Sequence, residues 1–210
     1  VTLSTPSLTV SGAFEVTATF SEPVTDFALV DITVANGSVS NFASTSTTVY
    51  TFDVTPASDG TVTVDVAAGA AQDNAGNPSG AASQLSVTAD STAPTLVIQS
   101  APAIVNTTDR FSVIFEFSED VTDFVVSDIT VGNGSASDLT ATDGNTYEAY
   151  ITPDGSGAIT IDVAANVVQD VAGNANTAAA QVSISYDAGA PTVTLSTPSL
   201  TVSGAFEVTA

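Results

Sequence analysis

Carboxylates are the only abundant ionisable groups in this chain. Asp and Glu number 23 against a single base, Arg110; His and Cys are absent, and the formal net charge is −22. Some of the acids recur in fixed company. Phe20-Ser21-Glu22 returns as Phe117-Ser118-Glu119, and Gln72-Asp73-Asn74-Ala75-Gly76-Asn77 returns as Gln169-Asp170-Val171-Ala172-Gly173-Asn174, both at an offset of 97 residues. Asp90-Ser91-Thr92-Ala93-Pro94-Thr95 and Asp187-Ala188-Gly189-Ala190-Pro191-Thr192 keep that offset. Acids without basic partners are solvated, screened by salt, or neutralised by metal. Most of them fit a solvated, self-repelling surface that resists aggregation. Asp-x-Ala-Gly-Asn is also an ordinary turn sequence, in which Asp and Asn bond their own backbone and Gly takes a left-handed φ. It lacks the alternating acids of an EF-hand loop, and Asp90 could simply cap a linker.

The same composition excludes whole classes of function. A phosphate backbone or an anionic membrane is repelled by such a surface, so neither nucleic-acid binding nor membrane insertion is expected. No run approaches the roughly 18 apolar residues of a membrane span, and no signal peptide is visible. Without Cys there is no disulfide, thiolate nucleophile or Cys-ligated zinc. Without His, Cys or Lys, acid–base and nucleophilic work would fall to carboxylates, Tyr or Ser. A paired-carboxylate glycosidase needs a cleft, which small repeated domains do not offer, so no enzyme is expected. Hydrophobic residues make up 43% of the chain and charged ones 11%, and mean hydropathy is +0.33, so the acidity does not signal disorder.

Repetition sets the domain plan. Val193–Ala210 is identical to Val1–Ala18, a return after 192 residues, with the degenerate copy between. A period near a hundred is far above solenoid repeats of roughly 20 to 50 residues, so each copy is a whole domain. The expected units are residues 1–90, residues 91–187, and a linker with the first strands of a third repeat over 188–210. The chain therefore reads as a window on a tandem array.

Alternation supplies the strands that must position the acids. Phe14, Val16, Ala18 and Phe20 alternate with polar residues, as do Tyr50, Phe52 and Val54, and Val62, Val64 and Val66. Phe111, Val113, Phe115 and Phe117, and Ile159, Ile161 and Val163, repeat the phase in the second copy. Between them lie turn formers: Asn36-Gly37-Ser38, Pro56-Ala57-Ser58-Asp59-Gly60, and Asp73 to Gly80. The Ala-rich Val66–Gln72 has room for one helical turn. About seven short strands per module predict an all-β chain of tandem immunoglobulin-like Greek-key sandwiches joined end to end, with a closed barrel as the alternative.

The order (A)PT-V-x-L, F-x-V-T-x-x-FSE-x-V-T-x-F, DITV-x-NG, TPxxDG, QD-x-AGN and D-x-x-APT resembles the bacterial Ig-like repeats of giant cell-surface adhesins of the Bap-like, type I secreted kind. The resemblance covers both modules and the start of a third. It implies an extracellular stalk at the bacterial surface, as in biofilm adhesins, that holds a binding tip away from the cell and is often stiffened by Ca2+ at domain junctions. The implied partners are neighbouring repeats of the same chain or fibre, with lateral self-association open.

In such a sandwich the connections after the second and sixth strands lie at the end that receives the incoming linker. Glu119 follows the one and Asp170 the other, so Asp90, Glu119 and Asp170 should meet at the seam between modules, with Asn174 and backbone carbonyls as helpers. Glu22, Asp73 and Asn77 would serve the preceding seam, and Asp187 the following one. Asp26 and Asp123 are weaker contributors. A linker with one Pro, no Gly and few free dihedrals favours a semi-rigid rod, each module adding about 35 to 45 Å.

The alternative is a binding module that itself recognises a carbohydrate, protein or ice surface through outward Thr residues such as Thr17, Thr19, Thr61 and Thr63. Thr equally suits any solvated strand, and the second copy carries Ile114, Glu116, Ala158 and Thr160 in those places, with Ser112 beside them. Two further expectations concern ordering. Val193–Ala210 needs a neighbouring chain or a continuous fibre to pair with. Arg110 has Asp109, a distant carboxylate or water as partner.

Overall fold

The computed structural model describes residues 1–155, 157–196, 203–205 and 208. The pairing expected for Val193–Ala210 falls largely on residues outside that set. Residues of the first module form β1 (Thr2–Ser4), β2 (Thr9–Val10), β3 (Phe14–Thr19), β4 (Val24–Thr25), β5 (Ile32–Ala35), β6 (Gly37–Ser44), β7 (Val49–Pro56), β8 (Gly60–Val66), β9 (Gln72–Asp73) and β10 (Leu85–Ala89). The second module repeats the order as β11 (Leu96–Gln99), β12 (Ile104–Val105), β13 (Phe111–Phe117), β14 (Val121–Thr122), β15 (Ile129–Gly132), β16 (Gly134–Ala141), β17 (Thr146–Pro153), β18 (Gly157–Val163), β19 (Gln169–Asp170) and β20 (Val182–Tyr186).

Each module is an Ig-like sandwich of two four-stranded sheets, β1-β3-β7-β6 against β2-β10-β8-β5 and β11-β13-β17-β16 against β12-β20-β18-β15. The first strand of each is shared between sheets. β1 pairs antiparallel with β3, and the chain then crosses to run parallel to β10 as β2. Pro6 in this crossover, and Pro102 in its counterpart, lack the N–H a ladder needs, so the strand breaks there. The two extra residues of the second module lie just beyond, between β12 and β13.

Alternation is realised as burial. Val16, Ala18, Phe52, Val54, Val62, Val64 and Val66 fill the first core, and Val113, Phe115, Phe117, Ile151, Ile159, Ile161 and Val163 the second, all below 2% exposure. At one end of each core sits an aromatic knot: Phe20, Phe27 and Tyr50 in the first, Phe117, Phe124 and Tyr147 in the second, with edge-on centroid distances of 5.1–6.0 Å. Both Tyr hydroxyls donate to a strand carbonyl, Val24 or Val121, at 3.3 Å.

The long edge strands β6 and β16 carry a bulge at Asn41 and Asp138, both at φ 52°, which blunts an edge otherwise open to pairing. Each bulge residue is held by its side chain. Asn41 Nδ2 donates to Asp53 Oδ2 at 2.7 Å, and Asp138 accepts from Arg110, whose guanidinium lies 4.3 Å over the Tyr150 ring. Of the partners open to Arg110, the structure thus selects the distant carboxylate.

Val66–Gln72 forms no helical turn. β8 runs to Val66, a hydrogen-bonded turn with Gly69 at φ 79° follows, and Gln72 enters β9. The single helical turns lie instead at Leu29–Asp31 and Val126–Asp128, both 3-10. There the Asp of each Asp-Ile-Thr-Val motif reaches back to the N–H of Ala28 or Val125 at 2.9 and 2.8 Å. Phe52→Ala should destabilise the first module by about 3 to 5 kcal/mol, the cost of a large buried cavity. Thermal unfolding should then show the first module melting early while the second keeps its transition.

Candidate metal centre at the seam between modules

Three carboxylates converge where the modules meet. Ligand oxygens of Asp90, Glu119 and Asp170 all lie within 4.8 Å of one another, and they form the only such acidic trio among the described residues. Asp170 is buried, and Asp90 and Glu119 are half-buried.

The fold places each of them from below. Phe117 and Val121 point into the core on either side of Ser118-Glu119-Asp120, so that turn is anchored at both ends. Phe117 N–H donates to Asn145 O, Asn145 Nδ2 to Phe117 O, and Val121 N–H to Gly144 O. Gly144 lies at that approach, where a Cβ would meet the exposed Asp120 carboxylate and push it aside. The short ladder β14–β19 pairs Val121 with Asp170 and so draws the turn after β13 onto the turn after β18.

Asp170 opens the Gln-Asp-Val-Ala-Gly-Asn turn. Its Oδ1 accepts the Asn174 N–H at 2.9 Å, its Oδ2 accepts Asn174 Nδ2 at 2.8 Å, and Gly173 takes φ 93°. The same Nδ2 donates to the Asp90 carbonyl at 2.8 Å. Asn174 therefore faces the trio as a donor that braces two of its members. In the first module Asp73 and Asn77 form the equivalent turn at 2.6–2.8 Å and share a concavity with Glu22 and Val1. Asp187 stands where Asp90 does: each N–H donates across β2 or β12, to Val10 or Val105, at 2.9 Å, and each carboxylate caps a backbone N–H two residues on. Asp26 and Asp123 take φ 71° and 65° and are not part of the trio.

The linker is tied on both sides, and one tie comes from a residue that sequence reasoning missed. Asp59, in the turn between β7 and β8, accepts the Ser91 N–H at 2.8 Å and Ser91 Oγ at 2.7 Å on Oδ1, and Thr92 Oγ1 at 2.9 Å on Oδ2. On the far side Thr95 N–H donates to Ser118 Oγ at 3.0 Å, Ser118 N–H to Thr95 O at 2.9 Å, and Thr177 N–H to the carbonyl of buried Pro94 at 2.9 Å.

The electrostatics of these two places are opposite. Hydrogen bonds from Ser91 and Thr92 hold the Asp59 carboxyl below the ordinary range. Burial, then the charges of Asp90 and Asp170 and a hydrogen bond to Asp90, push Glu119 above it. Glu119 is thus held against ionisation, and a proton or a cation beside it would relieve that.

Comparison with known proteins places this geometry in a family. A bacterial Ig-like domain model matches residues 1–89 and again 90–186. The chain belongs to the bacterial Ig-like domain family. Solved structures similar to this Ig-like pair include InvD of Yersinia pseudotuberculosis, 17% identical over 98% of this chain and 65% of that one, TM-score 0.39. Invasin, a bacterial integrin-binding protein, is 14% identical over 89% of this chain and 39% of that one, TM-score 0.41. The fibronectin(III)-like modules of Clostridium thermocellum CbhA are 16% identical over 88% and 93%, TM-score 0.38. This chain thus spans less than two thirds of the first two. No curated protein matches the sequence, and no helix among the described residues is long and apolar enough to cross a membrane.

Because the folded protein raises the Glu119 pKa, metal-free Ig-like pairs should be most stable with respect to this group below the ordinary Glu value of about 4.3, and lose that contribution as pH rises through the raised value. Glu119→Gln should remove this dependence. Asp59 acts in the opposite sense: its contribution is present above about pH 4 and is lost in acid. Chemical denaturation of the unsubstituted chain, Glu119→Gln and Asp59→Asn in chelator, at pH values across roughly the carboxylate range, separates the two.

Proposed function

We propose that the chain is a stalk segment of a long repetitive adhesin on the bacterial cell surface, of the type I secreted, Bap-like kind, and that Ca2+ stiffens its seams. The observation that carries the reading is the acidic trio at the seam itself, shared between the linker and two turns of the receiving module. A hard divalent cation prefers oxygen ligands, about six to eight of them for Ca2+. Asp90, Glu119 and Asp170 would hold the ion, Asn174 would orient Asp90 and Asp170, and water would complete the shell. A bound ion would supply the positive charge that no residue of the trio provides and would couple module one to module two through Asp90. Glu22, Asp73 and Asn77 would act likewise for a preceding linker, and Asp187 would present its carboxylate to the module that follows.

The stalk role draws further support from the tandem family match and the doubly tied linker. No catalytic role is assigned to the seam acids. The reading in which these domains themselves capture a carbohydrate, protein or ice surface has no recurring Thr array to rest on, since the outward Thr positions differ between the copies.

Calorimetric melting of the full chain in Ca2+ and then in chelator tests the proposal. At about a hundredfold excess over Kd, binding stabilises by about 2.7 kcal/mol, which raises Tm by several degrees. Glu119→Gln and Asp170→Asn should abolish the rise. Superimposable curves for the unsubstituted chain would retire the calcium seam.

A further inference from the structure

Two seams follow one another in this chain, and the residues that tie the first are replaced in sequence at the second. At the first, the Asp59 carboxylate grips the linker through three hydrogen bonds, two to Ser91 and one to Thr92. These are the ties that reach from the core turns of the first module beyond the β10 strand end. At the second, every participant is replaced at once. The position 97 residues after Asp59 is Ser156, and those after Ser91 and Thr92 are Ala188 and Gly189. The turn's carboxylate is now Asp154, the counterpart of Ala57, so neither the acceptor nor the two hydroxyl donors stand at their first-module positions, whereas Asp187, the counterpart of Asp90, is kept, and its carboxylate still caps Gly189 N–H at 2.9 Å. Loss of one partner alone would read as drift, with the others left behind. Concerted loss of all three, beside a retained seam Asp, reads as two designs of junction.

We propose that Asp59 is a latch on the first seam and that the seam after the second module is an unlatched hinge, so that an array of this 192-residue unit alternates fixed and compliant junctions. The physical basis is the count of free dihedrals. A linker whose Ser91 and Thr92 are fastened to the donor module has its bend confined to the residues beyond, and Pro94 and Thr95 are already bonded to the receiving module. Ala188 and Gly189 offer no side chain to fasten, and Gly adds conformational freedom. A stalk with a joint at every second seam bends at intervals of two modules and keeps paired modules aligned. The latch needs no cation, so it stands or falls separately from the calcium seam.

Amide exchange on the full chain in chelator reads the latch directly. The Ser91 amide should exchange on the order of tenfold or more slowly than the Ala188 amide, and Asp59→Ala should bring it to the Ala188 rate. Asp59 is exposed, so the variant keeps its core. The chain has no native Cys, so spin labels at Thr19→Cys and Thr130→Cys report the angle between modules cleanly. Asp59→Ala should broaden that distance distribution, with near-wild-type width restored by Asp59→Glu. In an array of two successive 192-residue units, labels across the second seam should give the broader distribution, and the triple change Ser156→Asp, Ala188→Ser, Gly189→Thr should narrow it. Equal exchange at Ser91 and Ala188, or equal widths at both seams, overturns the proposal.

Discussion

Mutual repulsion among three carboxylates confined within 4.8 Å of one another is the constraint around which the rest of the molecule is organised. No base stands near to relieve it, since the chain's one Arg is engaged at the β16 bulge with Asp138. Keeping such a trio together requires a rigid platform. The aromatic knot of Phe117, Phe124 and Tyr147 supplies it under the turn that carries Glu119, and the β14–β19 ladder supplies it for Asp170. Asn174 completes the arrangement by donating to Asp170 and to the Asp90 carbonyl from a single nitrogen. The repulsion is thus built in by packing, and whatever neutralises it acts on the relation between two domains.

Because Asp90 belongs to the linker, local charge becomes a mechanical variable. The linker residues between Asp90 and Leu96 make bonds backward to Asp59 and forward to Ser118, Asn174 and Thr177. Few of their dihedrals are left free, so a handful of polar contacts bears directly on the angle between the sandwiches. Such contacts respond to cations, protons and single substitutions far more readily than a buried core does. On the proposed stalk reading, stiffness would then depend on the medium without any change in the domains.

Much of this was legible in the residues. Strict alternation at Phe14–Phe20, Tyr50–Val54 and Val62–Val66 named the inward faces, since a half-buried strand has no other solution with period two. The placement of Phe-Ser-Glu and Gln-Asp-x-Ala-Gly-Asn after the second and sixth strands of the sandwich was enough to bring Glu119 and Asp170 to one end. What was illegible depended on partners remote in sequence or on the direction of a donor. Asp59 sits in a turn sequence that looks generic, and its role appears only when Ser91 and Thr92, more than 30 residues on, fold against it. Asn174 could be read as an oxygen donor to a cation, yet its nitrogen is what faces the acids. The split of the first strand at Pro6 and the Asp31 brace on Ala28 also escaped, because each turns on the register of a neighbouring strand or turn. One signal was available for Asp59: the joint disappearance of Asp59, Ser91 and Thr92 from the second copy.

The most direct test of a cation-neutralised seam is a crystal structure of the chain grown in Ca2+, with anomalous scattering measured at the junction. The account predicts a single peak bracketed by Asp90, Glu119 and Asp170, at about 2.3 to 2.6 Å from their oxygens. Clear density for the three carboxylates with no ion among them, and Glu119 sharing a proton with Asp90, would contradict it.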